Sequence, residues 1–192
     1  MRARRAGRNP VEVVALRPER VRELTGLWLA SRVDAGVSPE VAARSASEGR
    51  LLDALQRPDV RAHLALIDGV SVGYVITTEN PFGLGAHPET TIEQLYVDHR
   101  VRRHGVARAL LTTVLGQAER GGSEIIVSNV PATLREANRF FARLGFSSVI
   151  VRRVAATTAL RRRLTPQTAQ AELTLLRRRR LVGTALRESS QA

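Results

Sequence analysis

Apolar and polar positions along the chain divide it into ten short elements. VEVVAL (11–16) alternates weakly, predicting a strand, and Pro18 then sits in the first turn of a helix running to about Ser31. Ser38 before Pro39 supplies an N-cap with proline at the first helical position, opening a helix that reaches about Gln56 before Pro58 stops it. DVRAHLALID and VSVGYVITT are β-rich runs flanking Asp68-Gly69, a dipeptide that favours a two-residue hairpin turn. The segment 79–89, with two prolines and two glycines, predicts a loop that is either a lid over a substrate or a plain hairpin connection. TIEQLYV (91–97) is a strand, 98–105 a turn, and 106–120 a helix with Val106, Leu110, Leu111, Val114 and Leu115 on one face. Gly121-Gly122 ends that helix, and EIIVSNV (124–130) is a near-continuous apolar run, as in a strand covered on both sides. Thr133 and Glu136 have capping-box spacing for a helix carrying Leu134, Ala137, Phe140, Phe141 and Leu144 and ending at Gly145; SSVIVRRV then returns to strand.

Beyond residue 155 the pattern changes. Thr165-Pro166 predicts a further helix, with Ala171, Leu175, Val182, Ala185 and Leu186 on a stripe interrupted by Arg178. That helix either packs back on the core or a second subunit, or is a frayed basic tail. No repeat appears at a solenoid or propeller period. The organisation expected is a basic arm (1–10), one domain (11–154) and an arginine-rich extension (155–192).

Length and composition narrow the classes. The 192 residues suit one compact domain with tails, and an apolar fraction of 43% suits a packed core. No run approaches the roughly 18 apolar residues of a membrane span. The absence of cysteine excludes disulfides, thiolate-ligated metals and thiol nucleophiles. MRARRAGRNP is followed by no apolar signal segment, so the expected location is the cytoplasm.

The net charge of +12 is unevenly placed, and every basic residue is arginine. Residues 1–10 carry +4 and 145–192 carry +8, so an argument for nucleic acid attaches to the tails alone. Between them, 11–98 carry −5 and 99–144 carry +5. One half is suited to a cation, the other to an anion.

The most informative stretch is Arg102-Arg103-His104-Gly105-Val106-Ala107, where a turn meets a helix N-terminus. Such a terminus leaves its first N–H groups unpaired and carries about half a positive charge, favouring a pyrophosphate. Gly105 allows close backbone approach, Ala107 keeps the cradle free of a large side chain, and Arg100, Arg102, Arg103 and Arg108 add positive charge. The bland alternative is an arginine-rich turn that contains a glycine. The pattern is neither a P-loop nor a dinucleotide fingerprint.

This arrangement resembles the GNAT superfamily of acyl-coenzyme A-dependent N-acetyltransferases, over about residues 11–154. The family's Q/R-x-x-G-x-G/A signature after a strand ending in Val is matched by Arg102, Gly105 and Ala107 after Leu95-Tyr96-Val97. Its aromatic-x-x-x-Gly-Phe helix end is matched by Phe141, Gly145 and Phe146. The resemblance implies an α/β fold with a mixed, mostly antiparallel sheet flanked by helices, its fourth and fifth strands splayed, and a C-terminal basic helix added. A bulge in the fourth strand is implied, and it accounts for Ile92 and Leu95, whose parity disagrees. Acetyl-coenzyme A is implied as acyl donor, its pantetheine against Leu95, Tyr96 and Val97. Its pyrophosphate then lies at Arg102, Arg103, His104, Gly105, Val106, Ala107 and Arg108, with Asn129 and Phe141 also near the donor.

Acetyl transfer to an amine needs a base, stabilisation of a developing oxyanion and a proton for sulfur. The resemblance points to Glu93 as base, with Glu79 and His99 as weaker candidates, and to the Val97 N–H for the oxyanion. The family's usual tyrosine and asparagine in the last helix correspond to Phe141 and Leu134, which cannot serve. Tyr96 is the leading substitute acid, with Ser128 and Asn129 behind it. Trp28 belongs to the core or to an acceptor cleft. His63 and His87 show no partner at metal-ligand spacing, and no metal is expected.

The function expected is transfer of acetyl from acetyl-CoA to a primary amine of a small molecule or peptide, with a cationic acceptor favoured by the −5 segment. The alternative is a coenzyme A-binding module without turnover whose basic tail docks nucleic acid or ribosome, although residues 147–192 contain no aromatic for stacking bases. A homodimer fits either reading.

Overall fold

The computed structural model describes residues 10–81, 88–149 and 153–164. It divides into two compact units, 1–139 and 140–192. The first is a five-stranded sheet in the order β1-β2-β3-β4-β5, with all neighbours antiparallel except the parallel pair β4 and β5.

The chain enters through β1 (Glu12–Ala15), a single 3-10 turn at Pro18–Arg20 and α1 (Val21–Asp34). Pro18 lies in that turn as its fixed φ favours, and the helix proper outlasts the expected end at Ser31 by three residues. Ser38 caps α2 (Pro39–Ser47) by accepting from the Val41 N–H. The single helix expected to Gln56 is in fact two, because Gly49 takes φ 74° and breaks it before α3 (Arg50–Leu55). β2 (Val60–Ile67) and β3 (Val70–Asn80) form the expected hairpin, with Asp68 and Gly69 both at positive φ as a type I′ turn requires.

β3 and β4 (Glu89–Val97) pair out to Asn80 and Glu89, so the predicted loop is shorter than 79–89, and residues 82–87 lie outside the described part. α4 (Val106–Arg120) leads to β5 (Ile125–Ser128), shorter than the apolar run suggested. α5 (Arg135–Ala142) begins later than the capping box predicts. Leu134 precedes it and Asn138, in its first turn, bonds the Pro131 and Leu134 carbonyls. The last strand expected at 147–154 is not formed by its described residues, and 150–152 lie outside the description. α6 (Thr157–Leu164) was not anticipated, and the helix expected from Thr165 lies outside the described residues.

Two layers of core hold the sheet. On one face Leu24 and Trp28 of α1 and Leu51 of α3 pack on Leu64, Leu66, Tyr74 and Ile76. On the other, Val106, Leu110, Val114 and Ala118 form the buried stripe of α4, a turn-by-turn repeat that leaves Leu115 exposed against the sequence expectation. Gln117 of α4 donates to Thr77 of β3 at 3.3 Å on that same face. Fully burying one leucine such as Leu110 is worth about 2 kcal/mol, so α4, with its four buried residues, is firmly seated. In the second unit Phe141 is buried and meets Phe140 and Phe146 edge-on, at centroid distances of 5.4 and 5.0 Å.

Candidate active site

The strand that carries the candidate residues is distorted where the sequence parity failed. Gln94 pairs with Ile76 while Ile92 pairs with Thr77, so Glu93 is the extra residue of a β-bulge. The bulge turns Glu93 and its neighbour Gln94 toward one cavity, on the α1 face of the sheet, where Trp28, Ile76 and Thr78 also lie. The Glu93 carboxylate accepts from the Thr78 hydroxyl at 2.8 Å. The cavity holds about 780 Å³, room for a small molecule or the end of a peptide. Trp28 is therefore both core and cavity wall.

The bulge also marks where the sheet opens. β5 pairs with β4 only from Glu89↔Ile125 to Ile92↔Ser128. β4 continues to Val97 along β3, so Leu95, Tyr96 and Val97 run on after β5 has ended. Alternate residues of such a strand direct their N–H and C=O groups to the vacated side, where an extended ligand with amides can pair with them. Asn129, exposed, immediately follows β5 on the opposite side of this opening.

From Val97 the chain turns through Asp98–Gly105 into α4. Asp98 holds this turn: its carboxylate accepts from the Arg100 N–H at 2.9 Å and from the Arg100 guanidinium, which keeps its pKa down at about 2. Its own N–H bonds the Val72 carbonyl, tying the turn to β3. Arg103 and Gly105 both have positive φ, 66° and 85°. Gly105 is the N-cap of α4, and its carbonyl accepts from Ala109 at 2.9 Å. The N–H groups of Val106, Ala107 and Arg108 have no backbone partner among the described residues, which is the unpaired first turn that an anion requires. The glycine matters for its dihedral and not for space, since a Cβ at 105 meets nothing within 4 Å. His104 Nδ1 lies 3.1 and 2.9 Å from the Val101 and Arg102 carbonyls, so the ring is pinned with a proton on that nitrogen. Arg102 reaches Glu136 of α5 at 3.4 Å, an exposed pair.

Tyr96 lies apart from these groups in chemistry. Its hydroxyl donates to Asp34 at 3.0 Å and its ring tilts against Tyr74 at 5.9 Å. Burial, then the Asp34 carboxylate, push its pKa up to about 12. The phenol proton is thus directed to the Asp34 carboxylate. His99 sits 3.8 Å from both Asp34 and Asp98, at the start of the turn that leads to α4. Glu79 lines the cavity with Glu93. His63 is on β2, with burial lowering its pKa, and its Nδ1 has no partner. Among the described residues no cluster of three or more His, Asp or Glu is arranged to hold a metal, and no helix is long and apolar enough to cross a membrane.

Sequence reasoning missed the arginines of the cavity. Arg32, Arg50 and Arg57 reach it from α1, α3 and the segment before β2, and no local motif announces them.

The opened mixed sheet thus lies beside an unpaired, glycine-capped helix N-terminus. The Acetyltransferase (GNAT) family model matches residues 19–146, and the chain belongs to this family of acetyltransferases. No curated protein matches the sequence. Among solved structures, similar folds include a ribosomal-protein-alanine N-acetyltransferase from Brucella melitensis, 22% identical over 77% of this chain and 99% of that one, with a TM-score of 0.60. An aminoglycoside acetyltransferase from an uncultured soil metagenomic sample is 23% identical over 77% and 99%, with a TM-score of 0.63. The aminoglycoside N-acetyltransferase AAC(6')-Iy, solved with CoA, is 18% identical over 77% and 96%, at 0.59. At these identities the likeness is one of fold.

Proposed function

We propose that this protein transfers the acetyl group of acetyl-CoA to a primary amine bound in the cavity beside Glu93. The observation that carries the reading is the coincidence, within one strand and its following turn, of the bulge at Glu93, the opening of β4 from β5 and the Gly105-capped terminus of α4. The N–H groups of Val106, Ala107 and Arg108 would hold the pyrophosphate, with Arg103 and Arg108 supplying charge around it. Backbone groups of Leu95 and Val97, which alternate away from β3, would hold the pantetheine amides on either side of Tyr96, whose own backbone groups face β3; Asn129 and Arg102 border the same opening.

When bound, the donor supplies an acetyl group activated as a thioester. Glu93 takes the proton that the amine must lose before its nitrogen can bond the acetyl carbon, directly or through one water. The Val97 N–H stabilises charge on the carbonyl oxygen as that bond forms and the carbon–sulfur bond breaks. No side chain of β4 is suited to deliver a proton to sulfur, since Tyr96 is committed to Asp34. A thiol of pKa near 8.5 departs as thiolate and is protonated by water. Tyr96 then keeps β4 against the C-terminal end of α1, which forms the cavity wall.

Free-thiol release from acetyl-CoA with a panel of amines tests the reading. Release above the buffer rate is expected, and Glu93→Gln should lower kcat/KM by about 100-fold, the low end of general-base catalysis. A flat response over a broad panel favours a coenzyme A-binding module without turnover.

A further inference from the structure

The cavity beside Glu93 contains charges that a simple amine would not use. Of its three arginines, Arg57 is engaged by Asp59 through two bonds, at 3.0 and 2.6 Å, and Arg50 pairs with Glu48. Arg32 has no carboxylate partner among the described residues. Its guanidinium instead stands 5.9 Å from the centre of the Trp28 ring, in the range of a cation–π contact. Stacking on an indole leaves the planar fork of N–H donors free at its edge, and that fork matches the two oxygens of a carboxylate or phosphate. The acids divide in the same way: Asp59 is neutralised by Arg57, whereas Glu79 and Glu93 face the cavity without an ion-pair partner. The unneutralised lining is thus two carboxylates and one guanidinium. A purely cationic acceptor would answer the two carboxylates but leave the Arg32 fork without an anion, whereas an acceptor carrying both signs satisfies all three groups.

We propose that the acceptor is a molecule bearing both the primary amine presented to Glu93 and an anionic oxygen group, carboxylate or phosphate, held by Arg32 on the Trp28 wall. This rests on the acetyltransferase reading and replaces the cationic acceptor suggested by the charge of residues 11–98. That average sums residues spread over the whole segment, whereas the cavity wall carries Arg32 with no carboxylate beside it among the described residues. Arg32 is on this view the residue that sets specificity, and it takes no part in bond making.

The test uses the full chain, acetyl-CoA and thiol release with ω-amino carboxylates of graded chain length from glycine upward. Each is compared with its carboxamide, with the ω-aminoalkyl phosphate and with the diamine of the same length. At one length or more the carboxylate or the phosphate should exceed both the carboxamide and the diamine in kcat/KM by about tenfold, the worth of one charge-assisted contact. Which anion wins identifies the group. Arg32→Gln should cost the anionic acceptor about tenfold more than its carboxamide, chiefly in KM, and Arg32→Lys should restore part of the preference. Diamines or carboxamides turned over as fast as every anionic partner would overturn the proposal while leaving the acetyltransferase reading intact. So would an Arg32→Gln variant that slows all acceptors equally. No release with any amine would remove the acetyltransferase reading itself, and this proposal with it.

Discussion

Gly73→Ala is the perturbation whose cost can be worked most directly from the structure. Gly73 lies on β3 opposite Val97, where β3, the end of β4 and the start of α4 converge. A Cβ at this position would stand 2.8 Å from the Tyr96 carbonyl oxygen, 3.2 Å from Val106 Cγ1 and 3.5 Å from the Val97 Cα. The first contact is shorter than real Cβ atoms tolerate, and its partner is backbone, which cannot rotate aside as a long side chain does. Relief requires β4 to shift away from β3 or the first turn of α4 to lift. Overpacking of this kind costs about 1–3 kcal/mol, and a backbone opponent argues for the upper half of that range. In a chain of this size each kcal/mol lowers Tm by roughly 2–4 °C, so a fall of roughly 5–10 °C is expected. Gly26→Ala is the matched control. It lies inside α1, a Cβ there meets nothing within 4 Å, and losing a helix-interior glycine should stabilise by about 0.5–1 kcal/mol. Urea denaturation of the three proteins measures both. Because Val97 and Val106 border the proposed donor site, Gly73→Ala should also raise the KM for acetyl-CoA. A Gly73→Ala protein within about 0.5 kcal/mol of wild type would refute the steric argument, whatever its activity.

Other outcomes follow from the same geometry. Gly105→Ala meets no clash but must place an L-residue at φ 85°, so stability should fall by about 1–2 kcal/mol and acetyl-CoA affinity should weaken with it; calorimetry on a folded variant separates the two. The chain has two tyrosines, and burial chiefly raises both Tyr74 and Tyr96 to about 12, with Asp34 adding to the rise at Tyr96. Their raised folded values mean that this contribution to stability is complete below about pH 10, where an unfolded tyrosine begins to ionise, and is lost as pH climbs through about 12. Tyrosinate absorbance of the folded protein should therefore rise near pH 12 and not near pH 10, and a transition near pH 10 in the still-folded protein would contradict the raised values of the two phenols.

Much of this arrangement was legible in the residues because it is locally encoded. Asp68-Gly69 announces its turn, Ser38-Pro39 its helix, and the disagreement in parity between Ile92 and Leu95 becomes the bulge at Glu93. Gly105 ahead of an amphipathic run likewise becomes the cap of α4. The misses have two physical origins. Gly49 ends a helix that the apolar spacing alone would continue, and Asn138 organises the start of α5 where Thr133 and Glu136 had the better motif. Both are contests between local signals that only the assembled backbone decides. The cavity is a different matter. Arg32, the Arg57–Asp59 pair and Glu93 come from three separate places in the chain, and a segment charge of −5 says nothing about which charged groups stand unpaired in the cavity. Tyr96 shows the same gap: its place in the sequence suits a proton donor, whereas its partner, Asp34, lies on a helix far away in the chain.

The claim on which the account depends is that the first turn of α4 binds the donor through its diphosphate. Parallel calorimetric titrations of the intact protein with acetyl-CoA and with S-acetyl-pantetheine, which has the same thioester but no diphosphate, test it directly. The account predicts that acetyl-CoA binds at least about 100-fold more tightly, a gap of about 2.7 kcal/mol that narrows as salt is raised. Equal affinities for the two thioesters, or a gap indifferent to salt, would contradict it.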